Sequence, residues 1–134
     1  MTQSLLTHPI HLGRGGSAVM EPEFTGMQWY ADYVARHPDD GLEGRLVSMF
    51  RFEGPWESWE MHPEGDEVVV CVEGRLTLLQ EMADGEVRRT ELGVGDYAIN
   101  PRGIWHSADT DRPTMALFIT PGLGTQNRPR ERQG

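Results

Sequence analysis

The chain predicts an all-β sandwich or barrel that carries one short helix near its N-terminus. Three observations lead there. Short runs rich in Val, Ile, Leu, Phe, Tyr and Thr recur at even spacing between Arg45 and Thr120, separated by turns containing Gly, Pro and Asp. The 16 glycines and 9 prolines supply the many turns of such a fold and disfavour a helical bundle. A length of 134 residues suits a single hydrophobic core.

Residues 1–16 are polar and end in Gly13-Arg14-Gly15-Gly16, which reads as a loose arm. Residues 26–37 read as helix, with Trp29, Tyr30, Tyr33 and Val34 on one face, Thr25 as N-cap and His37-Pro38-Asp39-Asp40-Gly41 as the stop. The helix is expected to pack these aromatics on one mouth or one outer face of the β structure. Arm and helix occupy residues 1–44, the β domain 45–120, and a flexible Gly-, Pro- and Arg-containing tail 121–134. Within the β domain, residues 46–52 form a β-rich run ended by Gly54-Pro55, and Trp59 to His62 continues extended. Pro63-Glu64-Gly65-Asp66 turns the chain into the strand Glu67 to Val72; Glu73-Gly74 is a tight turn, and Arg75 to Gln80 returns as hairpin partner. After the turn at 83–86, residues 87–92, 97–100, 104–107 and 115–120 supply further strands.

Charge and composition exclude several classes of function. A net charge of −9 disfavours a phosphate-backbone partner, so no nucleic acid is expected. No apolar run approaches the roughly 20 residues of a membrane span. The N-terminal residues lack the basic-then-apolar pattern of a signal peptide. Cys71 is the lone cysteine, so no intrachain disulfide forms, and its mid-strand position reads as core. A cytoplasmic protein is expected.

Two segments carry the chemistry. The first is Gly54, Glu60-x-His62, Glu67 and Gly74; the second is Gly95, Pro101-x-Gly103 and His106. Residues two apart on a strand share a face, so Glu60 and His62 point one way while Trp59 and Met61 point the other. The turn at 63–66 brings Glu67 back beside them. Pro101 and Gly103 set the bend that delivers His106. Burying charged carboxylates costs several kcal/mol each unless they are paired or metal-bound. Two carboxylates and an imidazole that converge therefore point to a divalent cation, with His106 a candidate fourth ligand from the second segment. With no sulfur donor, zinc, iron, manganese and nickel are the candidates.

In spacing, the two segments resemble the paired motifs of the cupin superfamily, Gly-x5-His-x-His-x3–4-Glu-x6-Gly and Gly-x5-Pro-x-Gly-x2-His-x3-Asn. Glu60 stands where that pattern has its first His, and Thr110 where it has Asn. The resemblance covers residues 45–120 and implies a double-stranded β-helix, or jelly-roll, barrel with the metal ligands Glu60, His62, Glu67 and His106 facing inward. It also implies a homodimer and a small-molecule substrate or ligand. Relative to the usual set of three His and one Glu, Glu60 adds a negative charge that favours the divalent state and lowers the metal's potential. A second arrangement stays open, in which Glu60 faces solvent or an Arg and three ligands remain.

The implied activities are dioxygenase, isomerase, decarboxylase and lyase, all acting on oxygen-bearing small molecules. Dioxygenase-type chemistry is preferred, because two His and a carboxylate form the usual non-haem iron set. Glu60 or Glu67 would serve as general base. The alternatives are a metal-dependent isomerase or lyase, or a non-catalytic barrel that binds a sugar or organic acid. His8, His11 and His37 read as surface or packing residues, Asp66 and Asp96 as turn caps, and Trp56, Trp59 and Trp105 as packing beside the ligands.

Overall fold

A computed structural model describes residues 2–131. Two antiparallel sheets face each other. One has six strands in the order β2-β1-β3-β10-β5-β8: β1 Ile10–Leu12, β2 Ala18–Met20, β3 Arg45–Phe52, β5 Glu67–Glu73, β8 Tyr97–Asn100 and β10 Thr114–Pro121. The other has five in the order β11-β4-β9-β6-β7: β4 Ser58–Met61, β6 Leu76–Glu81, β7 Val87–Leu92, β9 Trp105–Asp109 and β11 Gln126–Pro129. This is the jelly-roll barrel the sequence predicts.

Alternation along the strands decides what lies inside. β5 buries Glu67, Val69 and Cys71, and β10 buries Thr114, Ala116 and Phe118. Leu76, Leu78 and Leu92 meet them from the opposite sheet. Each such aliphatic or aromatic side chain contributes about 1.5–3 kcal/mol by leaving water. Burial also pushes the Cys71 thiol pKa up, as expected of a core residue. The hairpin between β5 and β6 needs glycine at position 74 on two counts. Gly74 has φ +79°, and a Cβ there would lie 2.4 Å from the Pro113 carbonyl oxygen.

The helix α1, Gln28–Arg36, lies within the expected span, but Thr25 does not cap it. The N-cap is Met27, with no side-chain hydrogen bond. Tertiary contacts hold the helix instead. Trp29 and Tyr33, at i and i+4, stack with ring centroids 5.5 Å apart and are buried against Leu46. The Trp29 indole donates to the Pro22 carbonyl at 3.1 Å, and Arg36 pairs with buried Glu21 at 3.0 Å.

The arm and tail differ from expectation. Residues 10–12 form β1 and pair with β3 of the same chain, so they are ordered rather than loose. In the tail, β11 pairs with β4. Arg128 of β11 lies over Trp105 at 4.6 Å and over Trp59 at 5.5 Å, on the outside of the five-stranded sheet. The expectation of a mobile end to the tail falls at 132–134, outside the described residues. No helix among the described residues is long and apolar enough to cross a membrane.

Candidate metal centre

Strand register assembles the site. β4 and β9 place Glu60 opposite His106, and β9 and β6 place His106 opposite Gln80. In the other sheet Glu67 lies opposite Asn100. The loops after β4 and after β8 are clamped together: the Gly103 amide donates to the His62 carbonyl at 3.0 Å, and the Arg102 amide donates to Asp66 Oδ1 at 2.8 Å. Asp96 accepts from the Gly93 amide at 2.9 Å and caps its own turn as expected, whereas Asp66 bridges two loops instead.

The four predicted residues come together. Glu60, His62, Glu67 and His106 each offer one ligand atom, all within 4.8 Å of one another. His62, Glu67 and His106 are buried, whereas the Glu60 side chain is 33% exposed. Glu67 is the centre of the group. Its Oε2 lies 3.1 Å from His62 Nε2, and its Oε1 lies 3.1 Å from His106 Nε2. Glu60 Oε2 approaches His106 Nε2 at 3.8 Å.

The electrostatics follow from this packing. Burial works to raise the Glu67 pKa, but the imidazoles of His106 and His62 outweigh it and hold the carboxyl well below the usual carboxylate range. Burial works to lower the His106 pKa, and the carboxylates of Glu60 and Glu67 outweigh it, raising the value to about 9. His62 Nε2 and His106 Nε2 are buried and face the Glu67 carboxylate as ion pairs, and His106 Nδ1 is buried with no hydrogen-bond partner among the described residues. Two buried imidazoles converging on two carboxylates form a place for a cation. Ligand atoms about 2.1 Å from a shared tetrahedral centre lie about 3.4 Å apart. The separations of 3.1 and 3.8 Å lie near that spacing and all four ligand atoms lie within 4.8 Å, a group compact enough to close on a divalent ion.

A surrounding layer, which spacing alone does not reveal, orients these groups. Asn100 Nδ2 donates to Glu67 Oε1 at 3.0 Å, and Thr120 Oγ1 donates to Glu67 Oε2 at 2.7 Å. Gln80 Nε2 donates to Asn100 Oδ1 at 2.9 Å and to the Ile99 carbonyl at 2.8 Å. His62 Nδ1 lies 2.9 Å from Thr125 Oγ1. With Nδ1 protonated it donates to that oxygen and leaves the Nε2 lone pair facing the cluster. Thr110, at the position where the motif has Asn, bonds to the Arg75 carbonyl and to Thr114, so it serves the β5–β6 hairpin region rather than the cluster.

Glu60, His62 and Glu67 line a cavity of about 680 Å³. Trp56 lines it too, 6.3 Å from the His106 ring, whereas Trp59 and Trp105 sit under Arg128 on the outer surface. Met27, Tyr30, Ala31 and Val34 of the helix region roof it. Burial, with added repulsion from Glu60 and Glu67, raises the Tyr30 pKa to about 12, so its phenol stays protonated at neutral pH.

A second group, His11, His37 and Asp40, lies apart from the cluster. His11 is buried. Its Nδ1 is 2.6 Å from the Tyr33 hydroxyl and its Nε2 is 2.5 Å from Asp40 Oδ2. His37 stacks on its ring at 3.7 Å. With both nitrogens of His11 already engaged, this group ties α1 to β1 as packing.

The profile of the Cupin domain family matches residues 51–120, just over half of the chain. A search of curated proteins finds no match. Among solved structures, the chain is similar to a hydroquinone 1,2-dioxygenase from Sphingomonas sp. TTNP3 with 4-hydroxybenzoate bound. Identity is 17%, coverage 57% of this chain and 58% of that one, and the TM-score 0.50. An oxalate decarboxylase from Bacillus subtilis, described for its Mn(II) centres, is 17% identical with 72% and 26% coverage and a TM-score of 0.56. A cupin-2 domain containing protein from Shewanella frigidimarina is 23% identical with 57% and 70% coverage and a TM-score of 0.48. This chain therefore matches less than two thirds of the dioxygenase subunit and about a quarter of the decarboxylase. At these identities the likeness concerns the fold.

Proposed function

The chain belongs to the cupin family, and from that premise we propose that it is a metal-dependent enzyme acting on an oxygen-bearing small molecule. The observation that supports this best is the convergence of two buried imidazoles with two carboxylates beside a cavity. Glu60, His62, Glu67 and His106 would hold a divalent transition metal: zinc, iron, manganese or nickel. Such an ion supplies a Lewis acid toward a substrate oxygen and, as iron, the redox chemistry of dioxygen. Dioxygenase-type turnover is the preferred reaction, in line with the two His and carboxylate donors.

The two glutamates divide the work. Glu67 accepts hydrogen bonds on both oxygens and is buried, which suits a fixed ligand. Glu60 is partly exposed, faces the cavity and makes only the 3.8 Å approach to His106, so it is the ligand placed to leave the metal and take a proton from substrate. The test is dioxygen uptake by metal-loaded protein across phenolic, keto-acid and sugar substrates, with Glu60→Gln alongside. Loss of turnover by about 100-fold or more with metal content unchanged is expected; full turnover in Glu60→Gln would refute the base role. Turnover without oxygen uptake would favour the isomerase or lyase alternative. Ligand-induced stabilisation without turnover in any class would favour a non-catalytic binding barrel.

The outer face of the six-stranded sheet supports the expected homodimer. Met20, Ile10, Val47, Ile119, Val68 and Ile99 form one cross-strand row over all six strands. Met49, Leu117, Val70 and Tyr97 form the next. The rows carry no acidic side chain, which lets two copies of net charge −9 approach there. Light scattering at micromolar concentration should give the mass of two chains, and a monomer would exclude the dimer. The buried thiol of Cys71, the lone cysteine, fits a reducing compartment such as the cytoplasm.

A further inference from the structure

We propose, resting on the metal-dependent reading above, that the cavity takes a ring-bearing molecule, uncharged or singly charged, with its oxygens at one end, and that α1 selects it. The shape of the wall points this way. Phe52, Trp56, Phe118 and Phe50 form a chain of aromatic contacts with centroids 5.8–6.0 Å apart, and Trp56 brings that wall within 6.3 Å of the His106 ring. A ring entering beside Trp56 meets faces and edges at the separations aromatic pairs prefer. The cavity, about 680 Å³, is several times the roughly 150 Å³ that accommodates benzene, so a substituted ring fits with room beyond it.

Charge narrows the class further. Glu60 and Glu67 together offset the two charges of a divalent cation, so the loaded centre is neutral. A dianionic ligand would place two uncompensated charges in an apolar cleft. Among the described residues Arg51 is the only Arg or Lys along the cavity, and it is paired with Glu73 at 3.2 Å on the exposed side. Glu57 adds another carboxylate to the lining. Small dianions are therefore disfavoured, although they can chelate a metal as well as a vicinal diphenol does.

Helix α1, whose Tyr30 is close enough to Glu60 and Glu67 to feel their charge, covers the cavity. Tyr30, Ala31 and Val34 project into it at i, i+1 and i+4, with Met27 one turn earlier, whereas Trp29 and Tyr33 anchor the helix on Leu46. Ala31 is small, exposed and part of the cavity lining, so a larger side chain there narrows the entrance without disturbing the core.

The experiment is calorimetric titration of zinc-loaded protein, which is redox-inert, with catechol and with oxalate, for wild type, Ala31→Trp and Ala31→Leu. Catechol is expected to bind at least tenfold more tightly than oxalate. Ala31→Trp should weaken catechol at least tenfold, Ala31→Leu by less, with zinc stoichiometry unchanged in both. Oxalate binding as tightly as catechol, or catechol binding unaffected by Ala31→Trp, overturns the proposal. If the protein takes up neither zinc nor iron, manganese or nickel, the metal reading fails on its own. Catechol binding to that metal-free protein, weakened by Ala31→Trp, would still uphold the cavity assignment, and no catechol binding would overturn it.

Discussion

Replacing Thr120 by Val tests whether the surrounding hydrogen bonds hold the proposed metal ligands in place. Thr and Val have nearly the same shape and are both β-branched, so the strand and the packing are retained while one hydroxyl is lost. That hydroxyl donates to Glu67 Oε2 at 2.7 Å. A hydrogen bond to a charged group contributes about 1.5–3 kcal/mol. After the substitution Glu67 keeps the Asn100 donor on Oε1 and loses its donor on Oε2. The metal-free protein should therefore lose about 2 kcal/mol, or roughly 7 °C in Tm for a domain of this size. Removing a partner that orients a ligand also lowers metal affinity by about 10- to 100-fold. Calorimetric unfolding of the metal-free protein and zinc competition against a chromophoric chelator read the two effects separately. A Tm loss with zinc affinity within twofold of wild type would show that Thr120 supports the fold alone and that Glu67 is not a ligand whose orientation matters.

Two further outcomes follow from the same geometry. Metal binding should strengthen with pH by about tenfold per unit up to about pH 9 and then level off. The reason is that His106, with its pKa raised to about 9, must lose its proton before it can ligate. In the metal-free protein the same shift acts in the opposite sense. Its stabilisation is complete below the unfolded value of about 6.5 and is lost as pH rises through about 9, while that of Glu67 persists down into strong acid. The metal-induced gain in Tm should therefore widen from pH 6 to pH 9, and a constant gain would contradict it. Gly74→Ala should destabilise by about 3 kcal/mol or more, because it combines a left-handed backbone with a Cβ 2.4 Å from the Pro113 oxygen. Chemical denaturation measures this, and a loss under about 1 kcal/mol would mean that the hairpin relaxes freely.

Three of the centre's residues were legible from short-range geometry, and the place of His106 beside them was what the resemblance to the paired motifs implied. Glu60 and His62 are two apart on one strand, Glu67 follows a four-residue turn, and Pro101 and Gly103 mark the bend before His106. The residues that orient them were not. Asn100 meets Glu67 only through the β5–β8 register, and Thr120 and Thr125 come from more than 50 residues along the chain. No local pattern marks a Thr on β10 or in the following loop as a partner of a carboxylate or an imidazole. The three-residue strands β1 and β2 are too short for alternation to show, and β11, Gln-Asn-Arg-Pro, has a composition that reads as tail. What makes β11 a strand is the edge of β4 and the two tryptophans beneath Arg128, a tertiary effect that overrides weak propensity. The helix was recognised from its aromatic face, but its cap was not. Packing of Trp29 and Tyr33 replaces a cap that Thr25 does not make.

The measurement that bears most directly on the metal centre is elemental analysis of untagged protein prepared without chelator, for wild type and for the double variant His62→Ala/His106→Ala. About one equivalent of a single transition metal in wild type, lost in the variant while the fold persists, is the expected result. No metal in wild type, and none taken up when zinc, iron, manganese or nickel is added, would contradict the account, leaving the cluster as a buried ion-pair network in a ligand-binding barrel.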